Sequence, residues 1–357
     1  YVAPAEKEDT DPVVSCTKGE DCQADTHEED CPKYEEKPSA PAVNGEKTGN
    51  ALDCPMRALQ DEESETKVAG TLEEKTLENT PELLSRRGTE SALEGAEGSN
   101  LTWALTENTD EPGTYTLTIS GIGEMKDYGY DDSSRPWYNQ RKSITKIEFD
   151  NQVTSVGAWA FHGCTNAIEI SLSDSIEKIG ASAFQGLSKL TGEFHIGPKV
   201  KVLGQDAFYA TSISKYTIDE SNTSYVVKDD ILYSADGKTI ISCPQGKSGE
   251  FQLSWLDGVE TIADSAFRNC KKLVGPVVIP DSVTSIGALA FQACQGLTGD
   301  LVIPDSVVGD IEEWTFGNCG FDGSLQIGSG VCSIGNNAFQ NCKFTKLDLG
   351  NVTTIGD

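Results

Sequence analysis

A short phrase returns along the chain at a nearly fixed interval, and no other feature restricts the fold as much. It reads VGAWAFHGC at 156–164, IGASAF at 179–184 and LGQDAF at 203–208. It comes back as IADSAFRNC at 262–270, IGALAFQAC at 286–294, IEEWTFGNC at 311–319 and IGNNAFQNC at 334–342. Successive Phe residues stand 23, 24, 59, 24, 25 and 23 positions apart. A period near 24 residues is the mark of a stacked repeat, in which each unit leans on its neighbours instead of on a shared globular core.

Each phrase follows a second one of alternating character. These are IEF (147–149), ISL (170–172), FHI (194–196), YTI (216–218), FQL (251–253), VVI (277–279), LVI (301–303), LQI (325–327) and LDL (347–349). Apolar residues at i and i+2 around a free position describe a short strand buried on one face. A turn follows, with Pro280 or Pro304 before Asp-Ser, or Gly197 before Pro198, and leads to a second extended piece. The Ala-Phe pair then folds back as a short helical turn. One unit cannot hide these apolar residues alone, but stacked units bring each position against its own copy. The fold class expected is therefore a repeat solenoid, β-rich with short helical turns.

The pattern resembles the BspA-like leucine-rich repeats of surface proteins from anaerobic bacteria and some mucosal protozoa. The match rests on IP-DSVTSIG-xxAF-xxC, nearly verbatim at 279–294 and 303–319, and covers residues 144–357. Before it, TYTLTISG (114–121), GEM (123–125) and PWY (136–138) look like the lead-in that precedes such repeats in gut bacteria. An alternating strand followed by Trp137 and Tyr138 suits a cap over the open end of an apolar stack. Two departures stand out: Leu187 and Thr211 replace Cys, and DIEE at 310–313 replaces the Ser-Ile-Gly run. The resemblance implies a non-enzymatic, secreted or cell-surface leucine-rich-repeat protein that binds a protein or glycan partner in adhesion or host interaction. The alternative is a spacer that displays a further domain beyond residue 357.

Three regions follow. Residues 1–98 carry 25 acidic against 10 basic residues, with no sustained apolar alternation, and read as a disordered acidic, Cys-containing linker or stalk. Residues 99–143 read as a β-rich N-terminal cap and 144–357 as the repeats. The 59-residue Phe interval holds YVVKDDILY (225–233) and TIISC (239–243) around the turn signal ADGK (235–238), a hairpin-type variant at about 219–250. The chain opens on Tyr1 and its eighth repeat stops at Asp357, so it reads as a truncated piece of a longer protein. An apolar end that frays from Phe339 onward is the expected consequence.

The eleven cysteines need two explanations. Cys16, Cys22, Cys31 and Cys54 lie in the acidic region. Cys16-x5-Cys22-x4-His27-x3-Cys31 has the donor types of tetrahedral zinc, but its first gap is longer than structural zinc sites use; free thiols or a disulfide loop explain the same residues. Cys164, Cys270, Cys294, Cys319 and Cys342 close repeats and suit a ladder of buried thiols with parallel side chains, unlike disulfides. Cys243 and Cys332 fall off that ladder.

The charge excludes partners. With 28 Lys+Arg against 57 Asp+Glu, a net −29 repels phosphate backbones and anionic lipid, so nucleic acid is not expected as a partner. No stretch approaches the roughly 20 apolar residues that span a bilayer, so no membrane insertion is expected within this segment. Three histidines and the lack of a phosphate-binding Gly loop, nucleophile elbow or HExxH motif argue against an enzyme and against any cofactor. Glu193 and His195 admit an acid–base reading, set against a solvated surface His with no nucleophile or oxyanion hole beside it.

What remains is the face formed by the free strand positions. The candidate partner-binding residues are Glu148, Ser171, His195, Thr217, Gln252, Val278, Val302, Gln326 and Asp348, joined two residues earlier by Glu193, Pro276 and Asp300. Solenoids bind along such extended faces. Val278, Val302 and Pro276 make an apolar spot within it.

Overall fold

The computed structural model describes residues 100–130 and 132–357. The reading of residues 1–98, with the Cys16, Cys22, His27 and Cys31 constellation and Cys54, lies outside the described residues.

The repeat solenoid is realised as stacked coils. Two strands open the molecule, β1 (Asn100–Glu107) and β2 (Tyr115–Glu124), and then each coil contributes a pair. The coils before the long interval hold β3 (Ile144–Phe149) and β4 (Val153–Val156), β5 (Glu169–Ser171) and β6 (Lys178–Ile179), and β7 (Thr191–Ile196) and β8 (Val202–Leu203). Then come β9 (Ser212–Ile218), β10 (Tyr225–Lys228), β11 (Ile231–Ser234) and β12 (Thr239–Ser242). Beyond them lie β13 (Gly249–Glu250), β14 (Thr261–Ile262), β15 (Leu273–Val274), β16 (Ser285–Ile286) and β17 (Leu301–Ile303). The last are β18 (Gly309–Ile311), β19 (Ser324–Ile327), β20 (Val331–Ile334), β21 (Lys346–Asp348) and β22 (Thr354–Ile355).

Period-2 alternation turns Ile147, Phe194, Tyr216, Leu301 and Leu325 inward and leaves the residues between them outside. Strands of the first row pair in parallel as β3–β5, β7–β9, β13–β15 and β17–β19–β21. A second row runs β4–β6–β8, then β12–β14–β16 and β18–β20–β22. The Gly of the repeat phrase is needed where the second row turns into the next segment. A Cβ on Gly180 would stand 2.4 Å from Ala158 N, and one on Gly204 2.2 Å from Ala181 N.

The Ala-Phe segments form a third row of consecutive tight turns. Two positions per turn take left-handed backbone, two residues before the Phe (Trp159, Ser182, Asp206, Ser265, Leu289, Trp314, Asn337) and one before the Cys (Asn269, Ala293, Asn318, Asn341). Such angles are costly for Trp and Leu, and the stack repays them in hydrogen bonds. Alternate amides donate to the next coil: Phe161 to Ala183 O at 2.9 Å, Phe184 to Ala207 O at 2.9 Å, Phe291 to Thr315 O at 2.8 Å and Phe316 to Ala338 O at 2.8 Å.

The Phe rings stack behind these turns. Centroids are 5.6 Å apart for Phe161–Phe184, 5.8 Å for Phe184–Phe208, 5.0 Å for Phe267–Phe291 and 5.2 Å for Phe291–Phe316, with planes within 12° of parallel. Trp137 closes the first end, fully buried and stacked on Phe161 at 5.4 Å. β2 pairs with both β3 and β4 and so covers both strand rows at that end.

Between β9 and β13 the chain makes a three-stranded antiparallel meander, β10–β11–β12, whose last strand rejoins the second row through β14. Its first turn is Asp229-Asp230, both with positive φ (48° and 67°), the backbone of a type I′ hairpin. Lys247, nearly enclosed, donates to Asp229 O at 2.7 Å and Asp230 Oδ2 at 3.0 Å and pins the turn. The core divides at the meander: Leu232 packs with the coils before it, while Ile231 and Tyr233 pack with those after it.

The alternation misplaces one residue. Leu253 is half exposed because a 3-10 turn, Leu253–Leu256, begins there and sends Trp255 and Leu256 into the core instead. Leu347, on the last coil, is 64% exposed.

Candidate functional site

The outward positions of the first row form one face, but its two halves differ in chemistry. Before the meander the face is polar and internally paired. Lys146 Nζ meets Glu169 at 3.0 Å, and Lys215 Nζ meets Glu193 at 2.8 Å, each reaching from one rung to the next. Thr217 Oγ1 donates to Glu193 Oε1 at 2.7 Å and lies 3.1 Å from His195 Nδ1. Hydrogen bonds from Lys215 and then Thr217 hold the Glu193 carboxyl below the usual carboxylate range, and Glu193 raises Lys215 in turn. Thr217 gives its proton to the carboxylate and so accepts from His195. Glu193 and His195 therefore meet through Thr217 instead of directly. Glu148 is half-buried and Ser171 exposed on the same half.

Beyond the meander the outward row turns apolar. Val278 is 58% exposed, Val302 45% and Val274 44%, and Pro276 is exposed among them. Val274 was not singled out in the sequence, although it directly precedes the Gly275 that β7 and β17 also have counterparts of in Gly192 and Gly299. Polar groups flank the patch. Asp300 Oδ1 accepts from Ser324 N at 2.6 Å and Ser324 Oγ at 2.7 Å, which holds its carboxyl below the usual range. Gln252 donates to Glu250 O at 2.9 Å, and Gln326 and Asp348 stand exposed on later rungs.

Two hollows among the described residues bear on the candidate face and on the last coil. One, about 490 Å³, lies between β5 and β7 and is lined by Ser171, Glu193 and His195 among others. The other, about 460 Å³, is an apolar hollow on the last coil against Phe339, Phe344 and Leu347. A cluster that sequence reading passed over sits beside the cap, where Tyr130 packs on His162 at 4.6 Å and edge-on to Trp159 at 5.1 Å.

The cysteines are structural in their contacts. Cys294 Sγ donates to Phe267 O at 3.0 Å, Cys319 Sγ to Phe291 O at 3.0 Å and Cys342 Sγ to Phe316 O at 3.3 Å, each to the coil before. Burial pushes the Cys164 and Cys342 thiols up to about 12. Cys243 is buried just after β12 and Cys332 is half-buried on β20. Among the described residues no three His, Cys, Asp or Glu side chains gather as a metal site, and no helix is long and apolar enough to cross a membrane.

Comparison with known proteins agrees with the repeat geometry. Residues 136–234 and 249–357 match the model of the BspA type leucine-rich-repeat region, in six copies. Among solved structures, a leucine-rich-repeat protein from Eubacterium ventriosum is similar at 21% identity, covering 72% of this chain and 85% of that one, with a TM-score of 0.49. The pneumococcal vaccine antigen PcpA is 18% identical over 71% of this chain and 85% of its own, with a TM-score of 0.45. A leucine-rich cell surface protein from Faecalibacterium prausnitzii is 20% identical over 71% of this chain and 92% of its own, with a TM-score of 0.34. No curated protein matches the chain.

Proposed function

The chain belongs to the BspA-type leucine-rich-repeat family, and from that premise we propose that it is a secreted or cell-surface binding scaffold, without enzymatic activity, that docks a protein partner on its first strand row in adhesion or host interaction. The observation that carries this reading is the exposure of Val274, Pro276, Val278 and Val302 on the strand side of the stacked coils. Grouped apolar side chains rimmed by Asp300, Gln326 and Gln252 have the composition of a contact centre and its polar rim. The hydrogen bonds among Glu193, Thr217 and His195 fix the polar half of the same row.

The test compares the full chain with its Val278→Lys/Val302→Lys double variant on an array of extracellular matrix proteins, host-surface proteins and glycans. The reading requires a protein ligand that the parent retains and the double variant loses by tenfold or more in Kd, about 1.4 kcal/mol. A ligand held equally by both forms, or a glycan bound regardless of the two substitutions, contradicts it.

A further inference from the structure

The first strand row is open between β5 and β7, although the same two coils are closed elsewhere. Among the described residues β5 and β7 share no backbone hydrogen bond. Yet β6 and β8 pair at Lys178↔Val202 and Ile179↔Leu203, and Ser182, Phe184 and Gly186 all donate across the turn row of those coils. The result is a wedge-shaped cleft of about 490 Å³, hinged on its far side. Ile170, Leu172 and Phe194 line its floor, and Ile168 stands 53% exposed at its start.

Both walls are strand edges. Ile168 N–H is committed to Thr145 O on the β3 side, and Ile196 C=O accepts from Asp219 on the β9 side. Strand alternation then turns the main-chain groups of Glu169 and Ser171, and of Glu193 and His195, into the cleft. Two facing edges with unspent donors and acceptors are a template for an added strand.

Charge sets what that strand carries. One residue before the inward apolar side chain, successive coils hold Lys146, Glu169, Glu193 and Lys215. Lys146 pairs with Glu169 and Lys215 with Glu193, so the cleft falls between two carboxylates whose cations lie on their outer sides. The row reads plus, minus, gap, minus, plus. We infer that this cleft binds an extended peptide as an additional rung, parallel to β5 and β7, with Lys or Arg between Glu169 and Glu193 and an apolar residue directly after it on the floor. The molecule's own rungs have that form in Lys146-Ile147 and Lys215-Tyr216. The site is separate from the Val278 patch and stands or falls independently of it.

The probe is a synthetic peptide with the sequence of residues 144–150, ITKIEFD, titrated into the full chain beside the same peptide carrying Lys146→Glu. Saturable binding of the first is expected, with amides of Glu169, Ser171, Glu193 and His195 gaining protection from hydrogen exchange. The charge-reversed peptide should bind roughly tenfold more weakly, because one attractive contact with each of two carboxylates becomes repulsive. In a Glu193→Lys chain with an unchanged circular dichroism spectrum, the preference between the peptides should narrow or invert. Absence of saturable binding, equal affinity for both peptides, or protection that appears at Val278 and Val302 instead of at the cleft overturns the proposal.

Discussion

The coils before the meander and those after it are built from one repeat, yet they are joined differently and present different faces. After the meander, Cys294, Cys319 and Cys342 each tie to a Phe carbonyl of the previous coil, and the Phe rings approach to 5.0 Å, 5.2 Å and 5.5 Å. Before it, Leu187 has no such donor, Thr211 Oγ1 turns to Phe208 O of its own coil at 2.9 Å, and the rings stand 5.6 Å and 5.8 Å apart. The first set carries ion pairs on its strand row, which opens between β5 and β7; the second carries valines and opens between β15 and β17. What the difference teaches is which row holds the solenoid together. Strand pairing is interrupted in both rows, while the turn row passes hydrogen bonds from Trp159 to Asp357, bridged at the meander by a side chain. There Gln245 Oε1 accepts from Ala210 N at 2.9 Å and Asn269 Nδ2 at 3.0 Å, standing in for a missing coil.

The largest expected effect comes from emptying the ring stack. Phe291→Ala should cost about 3–5 kcal/mol in urea unfolding, because Phe291 is fully enclosed between two rings. The equivalent change at the more widely spaced Phe184 should cost no more than that. A larger loss at Phe184 would break the comparison.

Next comes the bridge between the two sets. Arg268 donates to Asp206 Oδ2 at 2.6 Å across the meander, donates to Gln292 Oε1 at 2.8 Å and lies over the Tyr209 ring at 4.1 Å, with little of either charged side chain exposed. Arg268→Ala should cost roughly 2–3 kcal/mol and leave Asp206 without its cation. It should also broaden or split the unfolding transition, since the two cores lose a shared contact. A single sharp transition, unchanged in slope, would show that the cores are coupled by other means.

Thiol chemistry sharpens the contrast further. Cys294→Ala should cost about 1–2 kcal/mol through a small cavity and one weak hydrogen bond. In the native protein Cys164 and Cys319 should resist iodoacetamide at neutral pH. Burial raises Cys164, while hydrogen bonding with Cys294 and then burial raise Cys319, so neither supplies thiolate until the coils open. Rapid native-state alkylation, followed residue by residue in a mass spectrometer, would contradict the ladder.

The smallest effect is on pH. Backbone and hydroxyl hydrogen bonds from Ser324 and Ser329 lower the Asp300 and Asp305 carboxyls in the folded state. A depressed carboxylate stabilises the fold above its unfolded value, and that contribution is lost as pH falls through the acid range. Asp305→Asn should flatten the acid limb of the stability profile slightly, and a steeper limb would refute the assignment.

Much of the architecture is legible in the residues. The Phe period, the inward strand positions and the repeat-end Cys follow from stacking like on like, since each copy repeats the same apolar demand. The parts that resist reading depend on single departures from the repeat. Leu253 continues the alternation in letters, but the chain tightens into a 3-10 turn that buries Trp255 instead. Asp229-Asp230 lacks the Asn-Gly signal of a type I′ turn and takes that geometry with help from Lys247, remote in sequence. Beside the opening between β5 and β7, Gly192 takes φ +75° and the β7–β9 register shifts so that Ser214 of β9 is the extra, bulged residue. Of the candidate face, the row positions were legible from alternation. Their division into a paired polar half and an apolar half required the contacts.

Residue-resolved amide hydrogen exchange on the full chain tests most directly whether the turn row holds the solenoid while the strand row is segmented. Slow exchange is expected at Phe161, Phe184, Phe291 and Phe316, whose amides donate to the next coil, on both sides of the meander. Glu169, Ser171, Glu193 and His195 should exchange orders of magnitude faster although they sit in the same coils as Phe184 and Phe208. Equal protection of the two groups would contradict the account, and so would turn-row amides that exchange faster than those of the strand row.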